Sequence, residues 1–280
     1  MAVFFLAALA VLGAATWMAP TVAVLTHLRD RPLEAALAGI AGSVSCGSAR
    51  WAWLGPIEFR DVVLRDRQGR AAAIVPELVI DRGLLGLAAA PRDLGTVRLV
   101  GVEAVAEVRP GGSSLEDIFA PWLAAPAAPV TCTIEVVDGV LEVVDVPRGD
   151  AWRAGDLFVA VAVGGGGVTD WTVGGRVWHA GRAADAPHGR STAISPDAPR
   201  RLDRTTVAAG AAAALARDGG FSCTSGAAGR AARTVTVAAR RLPLGVSSVA
   251  ATRYNATHVA DGLAEVRLDA TVTADGPRVA

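Results

Sequence analysis

The sequence predicts a mainly β protein, with an N-terminal transmembrane helix followed by an elongated antiparallel sheet and a few short helices. Three observations carry this expectation. Residues 1–26 contain no charged side chain, and at about 1.5 Å per helical residue they reach roughly 39 Å, more than the ~30 Å hydrocarbon core of a bilayer. Hydrophobic residues make up 52% of the chain but aromatics only 5%, so the interior is built from small and β-branched side chains, which suit sheets better than bulky helical bundles. Finally, Leu263 to Thr273 alternates strictly: Ala264, Val266, Leu268, Ala270 and Val272 share one face, and Glu265, Arg267, Asp269, Thr271 and Thr273 share the other.

The apolar segment reads as an anchor rather than a cleaved signal. It lacks a basic leader, and its apolar run is longer than the 7–15 residues typical of a signal peptide. Phe4, Phe5, Leu6, Leu9, Val11, Leu12 and Trp17 supply its lipid-facing bulk, and Val22, Val24 and Leu25 resume it after Pro20. The first positive charges, Arg29 and Arg31, follow the segment, a flank that by itself favours the cytoplasm. Orientation is therefore less strongly specified than insertion. Leu33, Leu37 and Ile40 then fall at helical spacing, predicting a short helix over Pro32 to Ala41 that Gly42 ends. The expected layout is an anchor over 1–26, a membrane-proximal helix over 27–42 and a β-rich domain over 43–280.

Within that domain, strands are expected over Ile57 to Arg65, over Ala71 to Ile80 with Pro76 breaking it or placing it at an edge, and over Val97 to Val108. A turn is expected at Asp66 to Gly69. Asp138-Gly139 predicts a two-residue hairpin between Ile134–Val137 and Val140–Val144. Short helices are expected over Gly83 to Ala90 and after Ser113, where Glu116 completes capping-box spacing. Residues 179–204 read as a long polar loop, and 207–216 as a short Ala-rich helix or part of a strand.

Candidate chemistry is sparse. Positive and negative side chains balance at 27 each, all the former being Arg, so nothing attracts nucleic acid, and lysine-dependent chemistry is excluded. His27, His179, His188 and His258 are dispersed; His179 and His188 with Asp185 are the one set that could approach a metal, without ligand spacing to fix it. Ser43-Val44-Ser45-Cys46-Gly47 lacks the first glycine of a nucleophile elbow and reads as a strand. Gly164 to Gly167 lacks the Lys-Ser/Thr of a phosphate loop. Glu116-Asp117 suits a helix first turn, and Asn255-Ala256-Thr257 is an incidental acceptor pattern. Cys46, Cys132 and Cys223 lie about 90 residues apart and read as small buried hydrophobes, although an oxidising compartment would leave a disulfide between two of them open. No catalytic residue, metal or cofactor is expected, and the chain reads as a non-enzyme.

Several phrases carry a family resemblance. Trp53-Leu54-Gly55-Pro56-Ile57-Glu58-Phe59-Arg60-Asp61-Val62, then Val75-Pro76-Glu77-Leu78-Val79-Ile80-Asp81, Leu94-Gly95-Thr96-Val97-Arg98-Leu99 and Gly111 to Asp117 resemble the beginning of AsmA-like and TamB-like envelope proteins. The resemblance covers about residues 1–123, with Leu242-Pro243-Leu244 similar to a connector of that family. It implies a curled, taco-like β-groove anchored in a bacterial inner membrane, with the bulk of the chain in the periplasm. It also implies phospholipid acyl chains as partners, with outer-membrane or envelope proteins as further ones, in a short relative or an N-terminal portion of a longer groove. Ala264, Val266, Leu268, Ala270, Val272, Val235 and Val237 are then the groove-lining candidates. The same alternation also suits a closed β core serving as a scaffold for protein partners, or the filled interior of a sandwich. A hydrolase using Ser45 or His188 is the third reading.

Overall fold

A computed structural model describes residues 18–124, 130–164, 167–182, 219–227, 232–254, 262–273 and 276–279. Helical backbone over 18–24 leads through a 3₁₀ turn (His27–Asp30) into α1 (Arg31–Ala36). Then follow β1 (Gly42–Ser45), β2 (Ser48–Arg50), β3 (Ile57–Asp66), β4 (Ala71–Ile80), α2 (Leu84–Ala89), β5 (Asp93–Val100), β6 (Glu103–Arg109), β7 (Gly112–Ser113) and α3 (Ser114–Ala124). The second half contains β8 (Thr131–Asp145), β9 (Asp150–Gly164), β10 (Gly167–Arg182), β11 (Gly220–Ala227), β12 (Ala232–Pro243), α4 (Ser247–Arg253), β13 (Leu263–Thr273) and β14 (Gly276–Val279). All fourteen strands join one large curled sheet, ordered β1-β3-β4-β5-β8-β9-β10-β11-β12-β13-β14.

Pairing is antiparallel except at one seam. β5 and β6 run end to end between β4 and β8, antiparallel to the former and parallel to the latter. A parallel neighbour requires a crossover, and α3 lies in that crossover. Ser113 starts it by accepting the Glu116 N–H through its hydroxyl at 3.2 Å, as the capping-box spacing anticipates. Arg253, and then Ser113 itself, bond the Glu116 carboxyl and hold it below its usual range.

The curl has a local cause. β3 buries Ile57 and Phe59, exposes both Arg60 and Asp61, then buries Val62 and Leu64. One extra residue on the outer face lengthens that face and bends the strand toward the apolar one. Such irregularities line up across the sheet: Asp61 in β3, Pro76 in β4, Gly101-Val102 between β5 and β6, Asp138-Gly139 in β8, Asp156 in β9 and Arg241 in β12. Among the described residues the non-glycine positions with positive φ are Asp61, Asp138, Asp156 and Arg241, all on this row. In β10 the row passes Gly174-Gly175, where a Cβ on Gly174 would stand 2.2 Å from the Phe158 ring. Each strand crossing the row is divided into a near half, on the side of the Trp51–Pro56 loop, and a far half, on the side of Gly42 and Asp145.

Several expectations are corrected here. Asp138-Gly139 is not a hairpin: β8 runs through it, with Asp138 at φ 54°. The positive φ that suits a tight turn equally suits a bulge, and the β9 partner decides between them; the hairpin turn comes at residues 146–149 instead. Pro76 neither breaks β4 nor lies at an edge, because its missing N–H falls opposite Asp61 and the β5–β6 gap, where the ladder is already interrupted. That gap also divides the strand expected over Val97 to Val108. The first helix ends at Ala36, Gly39 takes the left-handed turn at φ 99°, and Gly42 opens β1. The Asp66–Gly69 turn stands as expected, with Asp66 Oδ1 accepting from the Gln68 and Arg70 N–H groups. Residues 179–182 belong to β10 rather than to a polar loop, while 183–218 lie outside the described residues.

Candidate functional site

Cross-strand register assembles one apolar row along the near half of the sheet. Phe59 pairs with Leu78, Leu78 with Leu99, Leu99 with Val136, Val136 with Val159, Val159 with Val173, Val173 with Cys223, Cys223 with Val237 and Val237 with Leu268. Paired residues project to the same face, so nine strands contribute one unbroken apolar line. A second begins Ile57, Ile80, Val97, Ile134, Val161, Trp171. The opposite face along the same strands carries Arg98, Glu135, Ala160, Thr172, Thr224, Thr236 and Asp269 in register, and Arg98 bonds Glu135 there at 3.1 Å.

Cover over the apolar face changes along the row. At the β1–β4 end, Leu33 of α1 joins Val44, Cys46, Ile57, Phe59, Val62 and Val75 in a buried cluster, with Leu84 and Leu87 of α2 packed against it. Ile118 of α3 closes a second cluster with Leu64 and Ala72. α4 packs on β6 and β8 in the far half. There Asp145, fully buried, accepts from the Thr252 hydroxyl at 2.7 and 2.8 Å and from Arg148, which also bonds the Ser248 carbonyl and Thr252. Beyond this point Ile134, Val136, Val159, Val161, Val173, Val235 and Val237 are only half-buried. Val266 is 43% exposed, and Leu268 is 39% exposed against 1% for Phe59 in the same row.

Of the groove candidates, Val237 and Leu268 therefore stand in the apolar row; Val235 pairs with Ala270, Val266 with Ala239 and Ala264 with Leu242. Val272 is in register with Arg233. Beside the Arg240-Arg241 insertion a shallow, open depression is lined by Ala238, Ala239, Arg240, Glu265, Val266 and Arg267. Sequence reasoning missed most of the row, from Leu78 to Cys223, because it depends on long-range register.

The three thiols are free. Cys46 is buried and Cys132 and Cys223 half-buried, and burial pushes all three thiols up, keeping them neutral and effectively apolar at physiological pH. The Cys46 thiol rises to about 12, by burial first and then by its bond to Asp30. Burial works against ionisation of Asp30, but the Cys46 thiol and N–H bonds, at 3.1 and 2.9 Å, and Arg29 prevail and hold its carboxyl below its usual range. His179 is not a loop residue: in β10 its Nε2 lies 3.7 Å from Asp150 Oδ1, and its ring packs edge-on against Trp152. Asp185, His188, His258 and Asn255 to Thr257 lie outside the described residues. Among the described residues no group of three or more His, Cys, Asp or Glu is placed to hold a metal. Ser45 sits in β1, with no histidine among its described hydrogen-bond partners.

From β8 to β13 the apolar strip crosses five inter-strand spacings, or roughly 24 Å. That exceeds the ~15 Å of one hydrocarbon leaflet. Of the expected anchor, Phe4, Phe5, Leu6, Leu9, Val11, Leu12 and Trp17 lie outside the described residues. Among those described, no helix is long and apolar enough to cross a membrane; the 18–24 helix nonetheless leaves Met18 57% and Val22 56% exposed. No protein-family model and no curated protein matches the chain.

Proposed function

We propose that this chain is a membrane-anchored, AsmA-like lipid-handling protein whose half-exposed apolar face carries phospholipid acyl chains at the periplasmic side of an inner membrane. The observation that supports it best is the row from Phe59 to Leu268, uniform in chemistry but buried at one end and exposed at the other. An apolar strip left half-open has a use if a mobile apolar ligand covers it. Each CH₂ moved out of water contributes about 0.8 kcal/mol, so a two-chain lipid is held without covalent chemistry. The apolar residues 1–26 then keep the strip beside the bilayer that supplies the lipid.

The test is a photo-crosslinking amino acid placed at Leu268, and separately at Asp269 on the opposite face, in the full chain reconstituted into phospholipid vesicles. The expected outcome is a phospholipid adduct at 268 and none at 269. A chain that yields only protein adducts at 268 supports the scaffold reading, and equal lipid capture at both positions removes the distinction between the faces.

A further inference from the structure

A second apolar surface lies apart from the sheet face, on the loop between β2 and β3. Leu54 at its tip is 78% exposed, and Leu85, in the first turn of α2, is 49% exposed. Isolated exposed apolar residues are ordinary, but these two belong to neighbouring elements locked together. The Leu84 and Leu85 N–H groups donate to the Ala52 and Trp53 carbonyls, each at 3.0 Å. Gly83 fits so closely beneath the loop that a Cβ there would stand 2.6 Å from the Trp53 carbonyl oxygen. The loop is thus held out by its neighbours, with Trp51 and Trp53 half-buried at its base.

Two further observations indicate what covers it. Arg50, 78% exposed in its side chain, adjoins the loop; of the acids nearby, Glu58 and Asp93 are engaged by Arg50 and Arg82 and the exposed Asp81 accepts from the Thr96 N–H, and Arg92 is exposed beside them. Exposed arginines around leucine and tryptophan match the layering of an interface between acyl chains and anionic headgroups. The N-terminal segment also joins the sheet a few residues before this loop. α1 starts beside Cys46, whose N–H donates to Asp30, and runs back along β1 toward Gly42. The chain bearing exposed Met18, Val22, Leu25 and Leu28 therefore meets the sheet at Cys46, shortly before β2 and the Trp51–Pro56 loop that follows it. Leu33 of α1 and Leu84 and Leu87 of α2 share one core cluster.

We propose that the Leu54 loop and the outer face of α2 form a second contact with the bilayer, seating Leu54 and Leu85 at the headgroup–acyl boundary and fixing the tilt of the sheet relative to the membrane. This rests on the membrane-anchored reading above, but not on lipid occupying the sheet face.

The experiment places a photo-crosslinking amino acid at Leu54 in the full chain, in vesicles of phosphatidylcholine and phosphatidylglycerol. Positions 68, in the Asp66–Gly69 turn at the opposite end of β3, and 268 serve as references. Lipid adducts at 54 and none at 68 are expected. With the probe moved to Leu85, the Leu54→Glu substitution is expected to abolish its lipid adduct. Absence of lipid at 54, or a protein adduct there, overturns the proposal. So does an adduct at 85 that survives Leu54→Glu. Lipid at 268 but not at 54 refutes this contact and leaves the lipid-handling reading intact; lipid at 54 but not at 268 does the reverse.

Discussion

The β1–β4 end and the β8–β13 end of the sheet present the same apolar face in unbroken register, yet among the described residues only the first has the packing of a protein core. Phe59 and Leu268 occupy one lateral row and differ in exposure from 1% to 39%. The difference comes from what lies over them. α1, α2 and α3 supply Leu33, Leu84, Leu87 and Ile118 to the first region, while the main packing of α4 is on β6 and β8. Residue type alone therefore does not assign a strand face to core or to ligand; the neighbouring layer does.

The largest effect that tests this contrast is a pair of truncations. Phe59→Ala is expected to destabilise by about 3–5 kcal/mol, as large-to-small core changes do, whereas Leu268→Ala is expected to shift stability by no more than about 0.5 kcal/mol. Denaturant unfolding of the full chain in detergent, with both variants in parallel, measures the difference; equal losses show that the second region is also a filled core.

The boundary between the regions is held by α4 on Asp145. Asp145→Ala leaves the Thr252 hydroxyl without its carboxylate in a buried place, at an expected cost of about 1–3 kcal/mol. Hydrogen exchange should then rise in α4 and the adjoining turn at residues 146–149, and leave α1 protected. Uniform loosening of all helices refutes a boundary role.

A smaller effect is pH-dependent and confined to the packed region. Burial, and then the bond to Asp30, push the folded Cys46 thiol up to about 12 from its ordinary value near 9. The unfolded chain thus loses this proton first, and the stabilisation present below about pH 9 is lost progressively as pH rises toward 12. Cys46→Ser keeps a donor for Asp30 and should flatten that alkaline decline; an unchanged profile assigns the decline to other groups.

The smallest expected change is a gain. A non-glycine residue in the left-handed region costs about 1–2 kcal/mol, so Asp138→Gly should be neutral or stabilising by up to about 1 kcal/mol, once the added chain entropy of glycine is counted. Asp138→Val should destabilise. Thermal unfolding checks both, and a tolerated valine removes positive φ as the reason for aspartate there.

Legibility followed the range of the interactions. β13 was readable because Glu265, Arg267 and Asp269 alternate with Val266 and Leu268 within one strand, and Ser113 with Glu116 announced α3 within one turn. Asp138-Gly139 was misread because hairpin and bulge ask for the same backbone conformation, and only pairing with β9 separates them. His179 looked like a loop residue because the polar text after it masked its place in β10. The bend row left one local trace, the doubled outward pair Arg60-Asp61 between Phe59 and Val62. Its alignment with Asp156 and Arg241 depends on pairings that no single stretch of sequence contains. The open half of the face was not readable at all, since exposure there depends on which helices reach it.

The row of inserted residues has a consequence for growth of the architecture. A closed barrel fixes its cross-section through the contact of its last strand with its first, so a change in strand number alters everything. In this sheet most of the strands that cross the row carry a crease of their own, set by one additional residue or a glycine pair, and no closing seam is needed. Cross-section is thereby separated from length: a hairpin bearing the same insertion can be gained or lost at a modest structural cost, and the profile of the face stays constant while its extent changes.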